Sequence, residues 1–199
     1  MERLRQKVAG LHTCAEEYTE QWQQQHVRLL ALLGNAQAIL GRLPVLANRA
    51  SYGVLAEVEG YTERLQAQQV GALEGLLSKC HDAMASLRAC AQGLSRCARD
   101  AQRQVASQRP QLTVQQLVGH SGCEASLQSC IDGLRQVAQM YEDEYRLIEA
   151  AVPRFSYGAA PGELAATAAL LGDQPSVQHA TISEILEKGR LTSTGERRS

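Results

Sequence analysis

The chain has 199 residues, a formal net charge of −1 and an aromatic content of 4%. This length is enough for a domain with a hydrophobic core, and a neutral chain has no overall field that attracts nucleic acid or an anionic membrane. No basic patch interleaved with aromatic residues is present in the sequence, which argues against nucleic-acid binding. The composition is rich in good helix formers such as Ala, Leu, Gln, Glu and Arg.

The sequence also bears on the compartment. The N-terminal segment MERLRQKVAGLHTCAEEYTE lacks the apolar core of a secretory signal. The longest apolar run, LAATAALL at 164–171, is shorter than the roughly 20 residues that span a bilayer. We therefore expect a cytoplasmic or nuclear chain, or one found in both, without membrane insertion. In a reducing compartment its six cysteines would remain thiols.

The first predicted element is a long helix over 3–42. Its apolar positions alternate steps of four and three residues, which is the spacing of a coiled-coil seam, with Gln25 as the one polar interruption. These positions are Leu4, Val8, Leu11, Ala15, Tyr18, Trp22, Leu29, Leu32, Ala36, Ile39 and Leu43. Pro44 and the segment PVLANRASYG at 44–53 predict the first turn or break, because proline removes a backbone donor inside a helix.

A second helix is predicted over 51–107, in two apolar frames that differ by one residue. We expect a kink or short break at the slip, near Gly71 and Gly75, since glycine costs about 1 kcal/mol inside a helix. The first frame is Val54, Val58, Tyr61, Leu65 and Ala72. The second frame is Leu73, Leu76, Cys80, Ala83, Leu87, Cys90, Leu94, Cys97 and Ala101. Pro110 predicts the end of this helix.

Two capping signals, at Thr113 and at Ser121 with Glu124, predict a short helix and then a third long helix that ends at Pro153. The buried positions predicted for the third helix are Leu127, Cys130 or Ile131, Leu134, Val137, Tyr141, Tyr145, Ile148 and Val152.

Beyond Pro153 the chain is punctuated by Gly and Pro, with two short helical candidates at 162–171 and 176–188. The sequence therefore predicts an all-α fold: three long antiparallel helices in an elongated bundle or coiled coil, with short C-terminal helices and a disordered tail. The predicted domains are a helical bundle at 1–152, short helices and a linker at 153–189, and the tail at 190–199.

The stretch KCHDAMASLRACAQGLSRC at 79–97 places three cysteines and a histidine close together. Cys90 and Cys97 lie two helical turns apart, too far to bind one zinc ion or to form a disulfide within the helix. His120 with Cys123 is the one tolerable zinc half-site. Cross-helix disulfides from Cys14 to Cys97 or Cys130 are geometrically open, although the compartment argues against them. We interpret the seam cysteines as small apolar residues at a helix–helix contact.

Other chemical signals are absent from the sequence. It contains no glycine-rich phosphate loop, no G-x-S-x-G and no H-E-x-x-H. The run at 142–144, Glu-Asp-Glu, fans out around a helix and is interpreted as a solvated face. We therefore expect no enzyme activity, no cofactor and no metal.

Two stretches, TERLQAQQVGALEGLLSKC at 62–80 and LRQVAQMYEDEY at 134–145, follow a helix that carries Trp22. Together they resemble the AAA-ATPase-interacting ribosome maturation factors and, more distantly, the cyclin-dependent-kinase-interacting proteins that partner them. The shared features are an E-R-L-x3-Q-[LV] helix and a later Y-x3-Y, here Glu63, Arg64, Leu65, Gln69, Val70, Tyr141 and Tyr145. The resemblance covers about residues 20–150. It implies a non-catalytic subunit that docks on a large ATPase during ribosome maturation or replisome work.

The leading functional hypothesis is a non-catalytic helical adaptor or scaffold that recruits partner helices into a multiprotein complex. A first helix about 60 Å long exposes seam surface unless another chain covers it. The predicted partner contacts are Trp22, Leu29, Leu32, Tyr141 and Tyr145, because aromatic anchors dominate interface energetics. The alternative is a homo-oligomeric structural coiled coil in cytoskeletal or vesicle-tethering work, and a third hypothesis is a thiol-dependent metal or redox protein.

Overall fold

A computed structural model of the protein describes residues 2–108 and 126–191. The α-helices in these ranges are α1 (Glu2–Ala47), α2 (Tyr61–Gln108), α3 (Leu127–Ala151), α4 (Pro161–Asp173) and α5 (His179–Leu191). Two 3-10 segments, Arg49–Glu57 and Val152–Arg154, follow α1 and α3. No strand occurs in the described ranges, and the predicted all-α class is confirmed.

Helix α1 continues through Pro44 and ends at Ala47, so the break lies inside the predicted segment 44–53, although Pro44 itself does not start it. Only three residues of α1 follow Pro44, and a proline this close to a helix end disturbs few backbone hydrogen bonds. The chain leaves the helix at Asn48, whose side chain accepts a hydrogen bond of 3.1 Å from the Ala50 backbone N–H. This bond caps the 3-10 segment that follows.

The buried face of α1 also differs from the predicted seam after Trp22. The buried positions there are His26, Leu29, Leu33, Ala36, Ile39 and Leu40. After Trp22 the buried face therefore continues four residues on at His26, where the predicted seam had Gln25. It reaches Leu33 four residues after Leu29, whereas the predicted Leu32 is half-buried. Hydrophobicity alone could not locate this frame, because its first residue is a polar histidine.

Helix α2 begins at Tyr61 rather than near residue 51, and it runs without a break through Gly71 and Gly75. A break at these glycines is therefore absent, since the cost of about 1 kcal/mol for each glycine is small beside the packing of a helix of this length. The second predicted frame is buried from Leu73 to Ala101, except for the half-buried Leu76. The first frame is not buried, and Val54 is 82% exposed.

The remaining predictions for the C-terminal part are largely confirmed. The predicted stripe of α3 is buried from Leu127 to Val152, with Tyr145 half-buried, and α3 ends two residues before Pro153. The two short helices lie at Pro161–Asp173 and His179–Leu191. The predictions for the end of α2 at Pro110, for the capping signals at Thr113 and at Ser121 with Glu124, and for most of the tail concern residues outside the described ranges.

The described residues form two compact groups. Unit 1 is drawn from Met1–Gln23, Leu87–Tyr145 and Pro175–Ser199, and unit 2 from Gln24–Ser86 and Arg146–Gln174. The boundaries fall inside α1, α2 and α3. The domain division predicted from the sequence stays a prediction.

In unit 1, α1 and α2 pack in one antiparallel register. The Lys7 ammonium donates to the Gln104 side-chain carbonyl at 3.2 Å. The thiols of Cys14 and Cys97 are hydrogen-bonded, and the Tyr18 ring covers Gly93. Since the partners in α2 move towards its N-terminus as the positions in α1 advance, these parts of the two helices run in opposite directions.

Candidate functional site

The structure brings together two of the predicted contact residues, Trp22 and Tyr141. Their rings meet edge to face, with centroids 5.0 Å apart and planes at 72°, a favoured aromatic geometry. Trp22 is fully buried and Tyr141 is 3% exposed. Burial raises the pKa of Tyr141 to about 12, and the nearby Cys90 thiol adds to the shift. This pair is therefore an aromatic core contact of unit 1.

Tyr145 lies one turn further along α3 and is half-buried. The Arg88 guanidinium carbon lies 5.5 Å from the centroid of its ring, which is a cation–π contact. The other two predicted residues belong to unit 2, where Leu29 is fully buried and Leu32 is half-buried. A partner-binding role for the five residues stays a prediction, and Tyr145 and Leu32 retain the most accessible surface.

The cysteines of 79–97 occupy the positions of a packed seam. Cys80, Cys90 and Cys97 are buried and free, and burial raises the pKa of all three thiols, to about 12 for Cys97. The half-site partner Cys123 lies outside the described residues. Within the described part of the chain, no group of three His, Cys, Asp or Glu side chains could hold a metal ion. The expectation of no metal stays a prediction.

Sequence reasoning missed the most buried ionisable groups of unit 1. His12 is fully buried, and neither ring nitrogen has a hydrogen-bond partner of good geometry among the described residues. Its ring packs directly against the backbone of Gly189 in α5. Burial lowers the pKa of His12 to about 4, an effect partly offset by the Cys130 backbone. A histidine one position after a seam leucine gives no hydrophobic signal, so only the docking of α5 reveals its burial.

Glu144 is the second such group, and the interpretation of 142–144 as a solvated face is wrong for it. Its side chain is fully buried and accepts a hydrogen bond of 3.0 Å from the Ser176 backbone N–H. Burial raises the pKa of this carboxyl, and the contact with Ser176 opposes the shift. The carboxyl therefore links α3 to the segment before α5 inside unit 1.

Unit 2 contains a buried polar cluster around His26. The ring Nε2 lies 2.9 Å from the Leu171 carbonyl oxygen, and the Gln174 amide nitrogen lies 2.8 Å from Nδ1. The neutral tautomer with its proton on Nε2 satisfies both contacts. Gln174 has φ of +43° and ends α4, so the cluster holds the end of α4 against α1.

Unit 2 has more exposed apolar side chains than unit 1 among the described residues. Seven of the eight exposed large hydrophobic residues in the described ranges belong to unit 2, and the eighth is Leu191. The seven are Val27, Val45, Val54, Leu55, Val58, Tyr157 and Leu170. An 18-residue stretch of α1 has a mean hydropathy of 1.5 and is 28% buried. By length and composition this stretch is able to cross a membrane, and core helices of soluble proteins pass the same test.

The connector 49–57 displays part of this surface in an ordered form. The Tyr52 hydroxyl and the Gln66 amide both donate to the Leu46 carbonyl, at 2.7 and 2.6 Å. The Arg49 guanidinium donates to the Ala56 carbonyl at 3.0 Å. Gly53 has φ of +52°, which glycine adopts without steric cost. These bonds hold the turn while Val54 remains exposed, which suits a preorganised contact surface.

The fold and these contacts define an all-α protein in which the perturbed ionisable groups serve helix packing. The family model described as Ribosome biogenesis protein C1orf109-like matches residues 2–189. The chain therefore belongs to this ribosome biogenesis family, consistent with the resemblance to ribosome maturation factors. No curated protein matches the chain significantly.

Proposed function

We propose that the chain is a non-catalytic helical adaptor in ribosome maturation, which holds partner proteins in a multiprotein complex that includes an AAA-ATPase. The observation that carries this proposal is the match to a ribosome biogenesis family over residues 2–189. The ATPase is added on the resemblance of the Glu63–Val70 helix and of Tyr141 and Tyr145 to ATPase-interacting maturation factors. Ribosome maturation would place the chain in the nucleus, in the cytoplasm or in both.

The position of the perturbed groups supports a non-catalytic role. A general acid or base must reach its substrate within hydrogen-bond distance, usually in a cleft. His12 and Glu144 are instead fully buried against Gly189 and Ser176. Burial keeps both groups in their neutral forms more readily, which favours packing over proton transfer to a bound molecule.

The distribution of apolar surface favours an adaptor over a homo-oligomeric rod. In unit 1 the seam of α1 is covered by the chain's own helices, so Leu4, Val8, Ala15 and Trp22 are buried without a second copy. In unit 2, apolar side chains such as Val45 and Val54 remain exposed. Val54, Leu55 and Val58 are exposed within five residues of the chain, and grouped apolar side chains of this kind are a surface that protein partners cover.

The test is quantitative affinity purification of the tagged full chain from cells. Wild type should recover an AAA-ATPase and ribosome precursor particles in constant proportion. The variants Tyr145→Ala and Val54→Ser should lower that recovery while the circular dichroism spectrum remains that of the folded helical protein. Leu191→Ser, which changes an exposed apolar residue of unit 1, is the matched control and should leave recovery intact.

Light scattering separates the adaptor from the alternative. A purified chain that forms a uniform self-assembled rod, and recovers neither the ATPase nor ribosome precursors, would favour the homo-oligomeric coiled coil. A monomer that needs co-expressed partners for full solubility would favour the adaptor.

A further inference from the structure

A groove of about 610 Å³ lies in unit 2 between α1 and the segment 157–164. Its floor on α1 includes Gly34, Ala38, Gly41 and Pro44, and the facing wall includes Tyr157 and Leu164. Among the described residues that line it, none is charged, and Gln37 is the only amide side chain. The volume lies in the range of sites that take apolar side chains from a ligand.

The floor of the groove is open to an incoming side chain. A Cβ added at Gly34 or Gly41 would meet no described atom within 4 Å. Glycine lowers the stability of a helix interior relative to alanine by about 1 kcal/mol, and at these two positions no contact of unit 2 offsets that cost. The two glycines are two turns apart on α1, so the open floor extends over about 10 Å.

On the α1 side, the charge beside the groove is positive. The sequence has no Asp or Glu between residues 21 and 56. Arg42 follows Ala38 by one turn, and its Nε donates to the Ala38 carbonyl at 3.1 Å, which holds the guanidinium beside the floor. On the facing wall, Glu163 precedes Leu164 and is exposed. Acidic groups on a ligand would therefore be favoured along the Arg42 side.

The backbone of the groove decides the conformation of its occupant. The α1 floor is helical, so most of its N–H and C=O groups are bonded within the helix, and it offers no strand edge with which an extended peptide could pair. Polyproline ligands need grooves lined by several aromatic residues, and Tyr157 is the one aromatic residue among the described lining. An amphipathic helix needs only an apolar groove with matching charges at its edge.

We propose that this groove, which we call the α1–α4 groove, binds a helix of a partner protein that presents leucine-type side chains on one face with acidic side chains beside them. The proposal rests on the adaptor function and deepens it, since it names the docking surface and the chemistry of the partner.

The direct test uses the full chain and two labelled synthetic helical peptides of about 20 residues. Both peptides carry leucines at helical spacing on one face, and the flanking positions are glutamates in one peptide and lysines in the other. Fluorescence anisotropy should show saturable binding of the glutamate peptide. The lysine peptide should bind about threefold more weakly, as expected for a charge contact at an exposed edge.

Groove-filling variants locate the site. Gly41→Leu should fold, because the position is open and leucine is a better helix former than glycine. It should weaken binding of the glutamate peptide at least about tenfold, since the new side chain occupies the space of a ligand anchor. Gly10→Leu is the matched control: this glycine lies on the same helix in unit 1, is exposed and is also open, so binding should not change. Arg42→Glu should reverse the preference between the two peptides.

Equal affinity of wild type and Gly41→Leu for the glutamate peptide would overturn the proposal. Binding to phosphatidylserine vesicles that is lost in Gly41→Leu, with no peptide binding by wild type, would also overturn it and would assign the groove to a membrane surface. If only the adaptor function is wrong, the glutamate peptide still binds at the groove, but purification from cells recovers no complex. This result differs from each result that overturns the groove. If Gly41→Leu recovers the intact complex and wild type does not bind the peptide, the groove proposal is overturned and the adaptor function still stands.

Discussion

Unit 1 and unit 2 share three long helices but use glycine in opposite ways. In unit 1, three of the four described glycines lie where another side chain closes on the backbone: Tyr18 on Gly93, Ile185 on Gly133 and His12 on Gly189. In unit 2, none of the nine described glycines would place a Cβ closer than 3.9 Å to another described atom. Glycine therefore permits close helix packing in unit 1 and leaves open surface in unit 2.

The same contrast appears in the side chains. Unit 1 buries the Trp22–Tyr141 pair together with His12 and Glu144. Unit 2 holds nearly all of the exposed large hydrophobic residues among the described positions. Buried aromatic and ionisable side chains are therefore a feature of unit 1, and exposed apolar side chains are a feature of unit 2.

The largest expected effect is on the aromatic pair of unit 1. Trp22→Ala should destabilise the protein by about 3–5 kcal/mol, because it leaves a large cavity in a fully buried position. Urea denaturation followed by circular dichroism measures the loss. Tyr157→Ala, at a 57% exposed aromatic residue of unit 2, is the matched control and should change stability by less than about 0.5 kcal/mol. Similar losses of unfolding free energy in both variants would contradict the contrast between the buried aromatic core of unit 1 and the exposed aromatic residue of unit 2.

The second prediction concerns pH and His12. The folded pKa of about 4 is below the usual 6.5, so the unfolded state binds a proton more readily in this window. Stability from His12 is therefore complete above pH 6.5 and is lost as the pH falls towards 4. Between pH 7 and pH 4.5 the loss should be about 2–3 kcal/mol.

Denaturation midpoints of wild type and His12→Gln at the two pH values isolate this effect. Between the two pH values the variant should lose about 2–3 kcal/mol less stability than wild type, and the exposed His81→Gln should lose as much as wild type. Glu144 contributes with the opposite sign, because its raised pKa favours the folded state at low pH and the contribution is lost as the pH rises through that pKa. An acid-dependent loss that is the same in wild type and His12→Gln would contradict the assignment.

The third prediction compares glycines directly. Gly189→Ala should cost about 1–3 kcal/mol, because the added methyl group meets the buried His12 ring, which cannot move into solvent. Gly71→Ala, at an open position of α2, should instead stabilise the protein by up to about 1 kcal/mol. The double variant His12→Ala with Gly189→Ala should show a much smaller additional loss from the second substitution than Gly189→Ala alone. Thermal denaturation distinguishes the signs, and a stabilising Gly189→Ala would refute the close contact.

The smallest expected effect is at the seam cysteines. Cys97→Ala removes one sulfur from a buried contact with Cys14 and should cost at most about 1–2 kcal/mol. A thiol count on the unfolded wild-type protein should give six, and metal analysis should give no zinc. Bound zinc that is lost in the variant would restore the metal hypothesis.

The amino-acid sequence by itself determined the helical class, the antiparallel run of α1 against α2 in unit 1, and the buried faces of α3 and of the second half of α2. The buried faces follow because a helix repeats every 3.6 residues, so a regular apolar stripe identifies the face that must be buried. The antiparallel run follows because a short connection between two helices favours antiparallel neighbours. It also identified the seam cysteines as packing residues, since their spacing is that of the stripe.

Only the tertiary structure decided which polar residues are buried beside the apolar stripes and which apolar residues remain exposed. His12, His26 and Glu144 are buried because α4, α5 and the segment before α5 close over them, and no local pattern encodes such long-range contacts. Val54 is exposed because a short turn with its own hydrogen bonds replaces the predicted helix. The periodicity of one helix specifies a face, whereas the element that covers the face depends on residues far away in the chain.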